Sequence, residues 1–172
     1  MKRIEKVSTL CGNYKPEKVL INLTKGDIMI YGIEVSGNDL LVISLNGNKE
    51  RYLAEVVSPK LSLPKNDESI SAILDLKKNF VMLIQNNKPK LIVLCEAGND
   101  SKKKRFRIEF AILCACEKNN IKYETYASSA ASKLINSGFE KTEKTPFDDF
   151  NGKLGIPQKY KKAFITAWRY FG

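Results

Sequence analysis

Three apolar runs set off by turn-forming clusters limit this fold more than any other feature of the chain. Residues 28–35 read Ile-Met-Ile-Tyr-Gly-Ile-Glu-Val and close on Ser36-Gly37-Asn38-Asp39. Residues 40–45 follow and close on Asn46-Gly47-Asn48, and a third run spans positions 51–57. Such clusters supply the backbone conformations of tight hairpins, and Asn-Gly is the strongest signal among them. The connections are too short for crossovers, so the spacing predicts an antiparallel meander.

The period then changes. After Asp67-Glu68-Ser69, apolar residues at Ile70, Ile73, Leu74, Leu76, Phe80, Leu83 and Ile84 recur at helical spacing up to a stop at Lys88-Pro89. Residues 91–95, Leu-Ile-Val-Leu-Cys, form a continuous apolar strand of the type buried on both faces. A second helix is expected over 102–118, a strand over 121–126, and a short helix capped by Ser128-Ser129. Residues 142–152 read as a polar loop, and Pro157 opens a last helix reaching about Tyr170. Residues 1–26 read as an N-terminal arm with a short strand at 19–23, ahead of a single domain over 27–172. The expected class is α/β with an α+β-like mixed sheet: three antiparallel strands, then alternating helices and strands.

Composition narrows the chemistry. The chain has 172 residues, 43% of them hydrophobic, enough to bury a core. It has no histidine, which removes Ser-His-Asp and Cys-His catalysis and any zinc site with a histidine ligand. No apolar run nears the roughly 18 residues of a membrane span, and the start lacks the apolar stretch of a secretory signal. Cys95, Cys114 and Cys116 sit in apolar stretches and read as core packing in a reducing, cytoplasmic protein. Cys114 and Cys116, two apart on a helix, point roughly 200° apart and cannot share a metal. Lys plus Arg number 29 against 19 Asp plus Glu, a net of +10. That balance favours polyanionic partners, nucleic acid first; on charge alone a basic protein without such a partner stands equally beside it.

Three acids stand where apolar residues are expected. Glu34 lies between Ile33 and Val35, Glu96 follows the 91–95 strand, and Glu109 is the one polar residue of Ile108-Glu-Phe-Ala-Ile-Leu. Each has an ordinary explanation. Glu34 can face solvent by alternation, Glu96 sits at a strand end, and Glu109 can pair with Arg105 one turn earlier. Together they suggest more. If the first strand and the 91–95 strand are neighbours, Glu34 and Glu96 meet at one end of the sheet. Carboxylates that close separate, share a proton or bind a cation, and oxygen ligands suit Mg²⁺ or Mn²⁺. Glu109 is then the expected third ligand.

This order of elements, with an acid in the first strand and another after the 91–95 strand, resembles the RNase H-like superfamily, and within it the RuvC-like branch of Holliday junction resolvases. A closer likeness is to a small uncharacterised bacterial family of that fold. It rests on Tyr31-Gly-Ile-Glu-Val-Ser-Gly-Asn-Asp39, Lys60-Leu-Ser-Leu63, Phe106-Arg-Ile-Glu-Phe-Ala111 and Phe164-Ile-Thr-Ala167, and covers roughly residues 28–172. The resemblance implies two-metal phosphodiester hydrolysis, with Glu34 as the first-strand acid and Glu96 as the second. It departs from the pattern at the last helix. Resolvases of this branch carry an aspartate pair there, whereas this chain reads Pro157-Gln158-Lys159-Tyr160-Lys161-Lys162. Glu109 or Asp148-Asp149 could supply the missing ligand, but neither matches the nuclease pattern. Weak metal binding and slow or absent cleavage are therefore expected.

Lys102, Lys103, Lys104, Arg105 and Arg107 crowd one helix start, where positive charge opposes the macrodipole and phosphate contact is a natural reason for it. A solvated charge run is the plainer one. Lys153, Lys159, Lys161 and Lys162 form a second basic set, and Ser128, Ser129 and Lys133 could hold a phosphate. Phe164 and Trp168, four apart, read as core rather than as a base-stacking platform. Three readings remain open at this point. One is a Mg²⁺- or Mn²⁺-dependent nuclease on structured DNA or RNA; another is a catalytically silent module that binds nucleic acid or a protein partner; the third is a basic globular domain with neither role. No membrane association is expected, and the oligomeric state, a homodimer included, is left open.

Overall fold

A computed structural model describes residues 28–48, 52–57, 60–65, 67–97, 103–137 and 156–171. The expected arm at 1–26, the loop at 142–152, and Cys11, Lys102, Asp148, Asp149 and Lys153 lie outside these residues.

The meander forms as its turns dictate. β1 (Ile28–Ser36) pairs antiparallel with β2 (Asp39–Gly47) through a two-residue loop, Gly37-Asn38, with Ser36 opposite Asp39. Gly37 takes φ +61°, the left-handed value that a glycine at this hairpin position adopts without strain. β3 (Tyr52–Val56) pairs antiparallel with the far half of β2. A two-residue strand that the pattern did not announce, β4 (Leu61–Ser62), pairs with the start of β2.

Helices and parallel strands then alternate. α1 (Ile70–Asn87) starts at Ser69, whose hydroxyl accepts from the Ala72 amide, and ends at Lys88 in the left-handed conformation just before Pro89. β5 (Leu91–Glu96) lies parallel beside β1. α2 (Lys103–Lys118) leads to β6 (Tyr123–Ala127), parallel to β5, and α3 (Ser128–Ser137) follows directly. A single 3-10 turn, Gln158–Tyr160, opens α4 (Lys161–Arg169). The strand order is β3-β2-β1-β5-β6, with β4 off the path beside β2.

Alternation sorts the side chains into two cores. Tyr31, Ile33, Val35, Ile92 and Leu94 pack under α1 and α2, while Ile30, Val93 and Cys95 pack under α3 and α4. β5 is buried on both faces, as its unbroken apolar run implies. Phe164 stacks on Trp168 with centroids 5.9 Å apart, and Tyr52 meets Trp168 edge-on, so the aromatic stripe of α4 is core. Cys95 and Cys116 are buried free thiols, and burial pushes Cys116 up to about 12, so it packs rather than reacts.

Gly32 fixes where α4 lies. A Cβ built there would stand 1.9 Å from the Ala163 carbonyl oxygen and 2.8 Å from the Ala167 Cβ. The backbones of β1 and α4 can approach this closely only because positions 32, 163 and 167 are small. That contact sets Lys162, next to Ala163, above Glu34, two residues along β1 on the same face.

Candidate functional site

All four helices begin at one end of the sheet, and the first contacts of each interlock there. The Lys104 ammonium donates to the Asn38 side chain in the β1–β2 turn and to Glu68 beside the α1 cap. Arg105 reaches from α2 to the last turn of β5, donating to the Cys95 carbonyl at 3.0 Å. The Lys162 ammonium, from α4, donates to the Ser128 hydroxyl at the start of α3 at 3.2 Å. Helix N-termini carry partial positive charge, so this end attracts anions before any side chain is counted.

The two buried carboxylates each face a resident cation. Glu34 is 8% exposed and lies 3.9 Å from the Lys162 ammonium, an ion pair too long for a direct hydrogen bond. Burial pushes its carboxyl above the ordinary value, and Lys162 and Arg105 pull it part of the way back. Glu109 is 4% exposed and accepts from Arg105 Nε at 2.7 Å and from the Ala97 amide at 3.4 Å. This short, charged contact across one helical turn explains how an acid persists in an otherwise apolar face. Arg105 therefore ties the end of β5 to α2, pairs with Glu109 and, through its charge, lowers the pKa of Glu34.

Glu96 is placed differently. Glu34 stands opposite Cys95 in the parallel register, not opposite Glu96. Cys95 shares the α3–α4 face with Glu34, so the pleat directs Glu96 to the other face, where it is exposed. The first strand and β5 are neighbours, and Glu34 and Glu96 reach the same end of the sheet. Arg105 pairs with Glu109 on the α2 side of the sheet, the side to which Glu96 points, and its charge lowers the pKa of Glu34. Cys95 stands opposite Glu34 in the register, with the Ser128 and Thr166 side chains beside its thiol.

The basic run divides. Lys104 and Arg105 turn inward, Lys103 is exposed at the helix start, and Arg107 lies outward in a groove between α1 and α2. The cost of positive charge at this N-terminus is offset by the acids and carbonyl that Lys104 and Arg105 engage. Lys133 is exposed on α3, and Lys161 is half-buried at the start of α4.

Among the described residues, no three acids or cysteines converge in a way that would hold a metal ion. The Mg²⁺ or Mn²⁺ implied by the resemblance does not fit this donor set. Glu34 faces an ammonium where the resolvase pattern supplies aspartate, Glu109 is taken by Arg105, and Glu96 lies across the pleat. Lysine at 162 was legible in the sequence as a missing acid. Its role as the partner of Glu34 was not, because the contact joins opposite ends of the domain.

No protein-family model and no curated protein matches the chain. Solved structures do. It is similar to Thermus thermophilus RuvC, at 13% identity and a TM-score of 0.61, over 82% of this chain and 92% of that one. It is also similar to T. thermophilus RuvC in complex with a Holliday junction substrate, at 12% identity and a TM-score of 0.63, over 82% and 91%. The fold is thus RNase H-like, of the RuvC type. No helix among the described residues is long and apolar enough to cross a membrane.

Proposed function

We propose that this chain is a nucleic-acid-binding module of RNase H-like fold in which lysine and arginine stand where nucleases of that fold place divalent metal. The observation that carries this reading is the Lys162 ammonium, 3.9 Å from buried Glu34 and hydrogen-bonded to Ser128. A cation tethered there neutralises the acid and leaves the sheet end net attractive to phosphate. It cannot ionise water as a divalent ion does. Of the acids of the proposed site, Glu34 and Glu109 then hold cations while Glu96 is exposed at the strand end, and slow or absent cleavage follows.

Support for nucleic acid as the partner comes from the net charge of +10, the four converging helix starts, and a RuvC neighbour bound to a Holliday junction. Phosphates are contacted by Lys103 and Lys161 at the starts of α2 and α4 and by Lys133 in the middle of α3, joined by Lys102 beyond the described residues and by the Lys162 ammonium. Such contacts confer affinity without sequence preference. Structured DNA and RNA are both candidates.

The test is fluorescence anisotropy of a labelled four-way junction, a plain duplex and an RNA hairpin across a salt series. Affinity is expected to fall linearly on a log–log scale. Replacing Lys103, Lys133 and Lys161 by alanine should reduce the slope by roughly 0.9 for each lost DNA phosphate contact. An unchanged slope would remove these residues from the interface.

A further inference from the structure

The outer face of the α1–α2 layer carries apolar side chains that the fold does not use. Both helices pack inward through residues such as Leu76, Phe80, Ile108 and Ile112. Outward, Ile70 and Leu74 lie one turn apart on α1, and Phe106, Phe110 and Cys114 follow at four-residue intervals on α2. Ile70 is 71% exposed and Phe110 61%. A helix covered on one side is expected to be polar on the other, so a contiguous outward apolar stripe marks a docking surface. Between the helices runs a groove of about 300 Å³, walled by Ile70, Leu74, Phe110 and Cys114. Lys77 and Arg107 are its charged lining residues, and no carboxylate among the described residues lines it.

We propose that this groove docks an acidic amphipathic helix of a protein partner. Its apolar side chains, three and four residues apart, would rest on Ile70, Leu74 and Phe110, and its carboxylates would meet Lys77 and Arg107. The two cations decide the occupant. A second copy of this chain brings the same Lys77 and Arg107 and no groove carboxylate to satisfy them. A nucleic-acid strand meets mostly aliphatic walls, where base stacking needs aromatic faces. An acidic helix satisfies both the walls and the rim. None of Lys103, Lys133, Lys161 and Lys162 lines the groove, so this proposal stands apart from the reading of that site.

The experiment titrates the full chain into a fluorescein-labelled synthetic helix of about sixteen residues, leucine on one face and glutamate on the other, and into its counterpart with lysine for glutamate. The acidic helix is expected to bind at least about tenfold more tightly. Phe110→Ser and, separately, Ile70→Ser should weaken it by about tenfold, with the fold intact because both side chains are exposed. Lys77→Glu with Arg107→Glu should invert the preference between the acidic and the lysine helix. Equal binding of the two helices, or of neither, overturns the proposal. So does a dimer in sedimentation that Phe110→Ser dissociates, or a loss of single-stranded oligonucleotide binding in Phe110→Ser.

Discussion

Glu34 combines burial with a resident cation, and the two act in opposite directions on its charge. Burial raises its pKa, and the Lys162 ammonium, itself a third exposed, recovers only part of the cost. Between the ordinary carboxylate value and the raised one, the folded chain binds more protons than the unfolded chain. Stability therefore falls as pH rises through that window and recovers on acidification. Glu34→Gln removes this slope, so its stability relative to wild type should climb with pH across the window and level off above it. Denaturant melts at several pH values check this, and a pH-independent difference would contradict it. Lys162→Met leaves a buried carboxylate without its partner and should cost about 1–2 kcal/mol near neutral pH. Adding Glu34→Gln should restore most of that loss, a coupling that a double-mutant cycle measures directly. At Gly32 the constraint is steric: the Ala163 carbonyl is backbone and cannot swing aside. Gly32→Ala should destabilise by about 3 kcal/mol. Because α4 must shift, it should also move the Lys162 resonances in NMR spectra; a silent substitution would mean that β1 and α4 are further apart than described.

α2 shows what an element adds to its residues. Read as a string, residues 102–107 hold five cations, each equally placed to meet phosphate. Helical geometry separates them by about 100° per residue, so Lys104 and Arg105 turn to the sheet end while Arg107 faces the outer groove. Arg105→Ala should therefore act on stability, by roughly 2–3 kcal/mol through uncompensated Glu109, rather than on the salt slope of binding. A melt compared with a salt titration distinguishes the two effects. The meander, α1 with its cap at Ser69 and β5 were legible in the sequence because local period and turn chemistry determine them. β4 was not, since two residues carry no period and its pairing with Asp39 and Leu40 is tertiary. Alternation offered a solvent-facing Glu34, which is correct only for a sheet covered on one face. With helices on both faces, the same alternation buries it. The acids were found by their odd placement among apolar residues. The partners of Glu34 were not, because Arg105 and Lys162 approach it from other elements.

At the scale of the whole molecule, parallel β1, β5 and β6 end together, and the helices that follow start where they end. In open α/β sheets that edge is where ligands bind, because helix N-termini and strand ends leave unpaired polar groups there. This chain adds a net charge of +10 and fills the acidic positions of the edge with lysine and arginine pairs. The fold resembles that of T. thermophilus RuvC, while the edge, in the function proposed above, receives a polyanion. Binding to nucleic acid should then be indifferent to divalent metal. The most direct test is the affinity of the full chain for a labelled four-way junction at fixed ionic strength, in EDTA and in Mn²⁺, with the DNA recovered and sized afterwards. Equal affinities and intact strands are expected. Binding or cleavage that requires Mn²⁺, and that is lost in Glu34→Gln, would contradict the account.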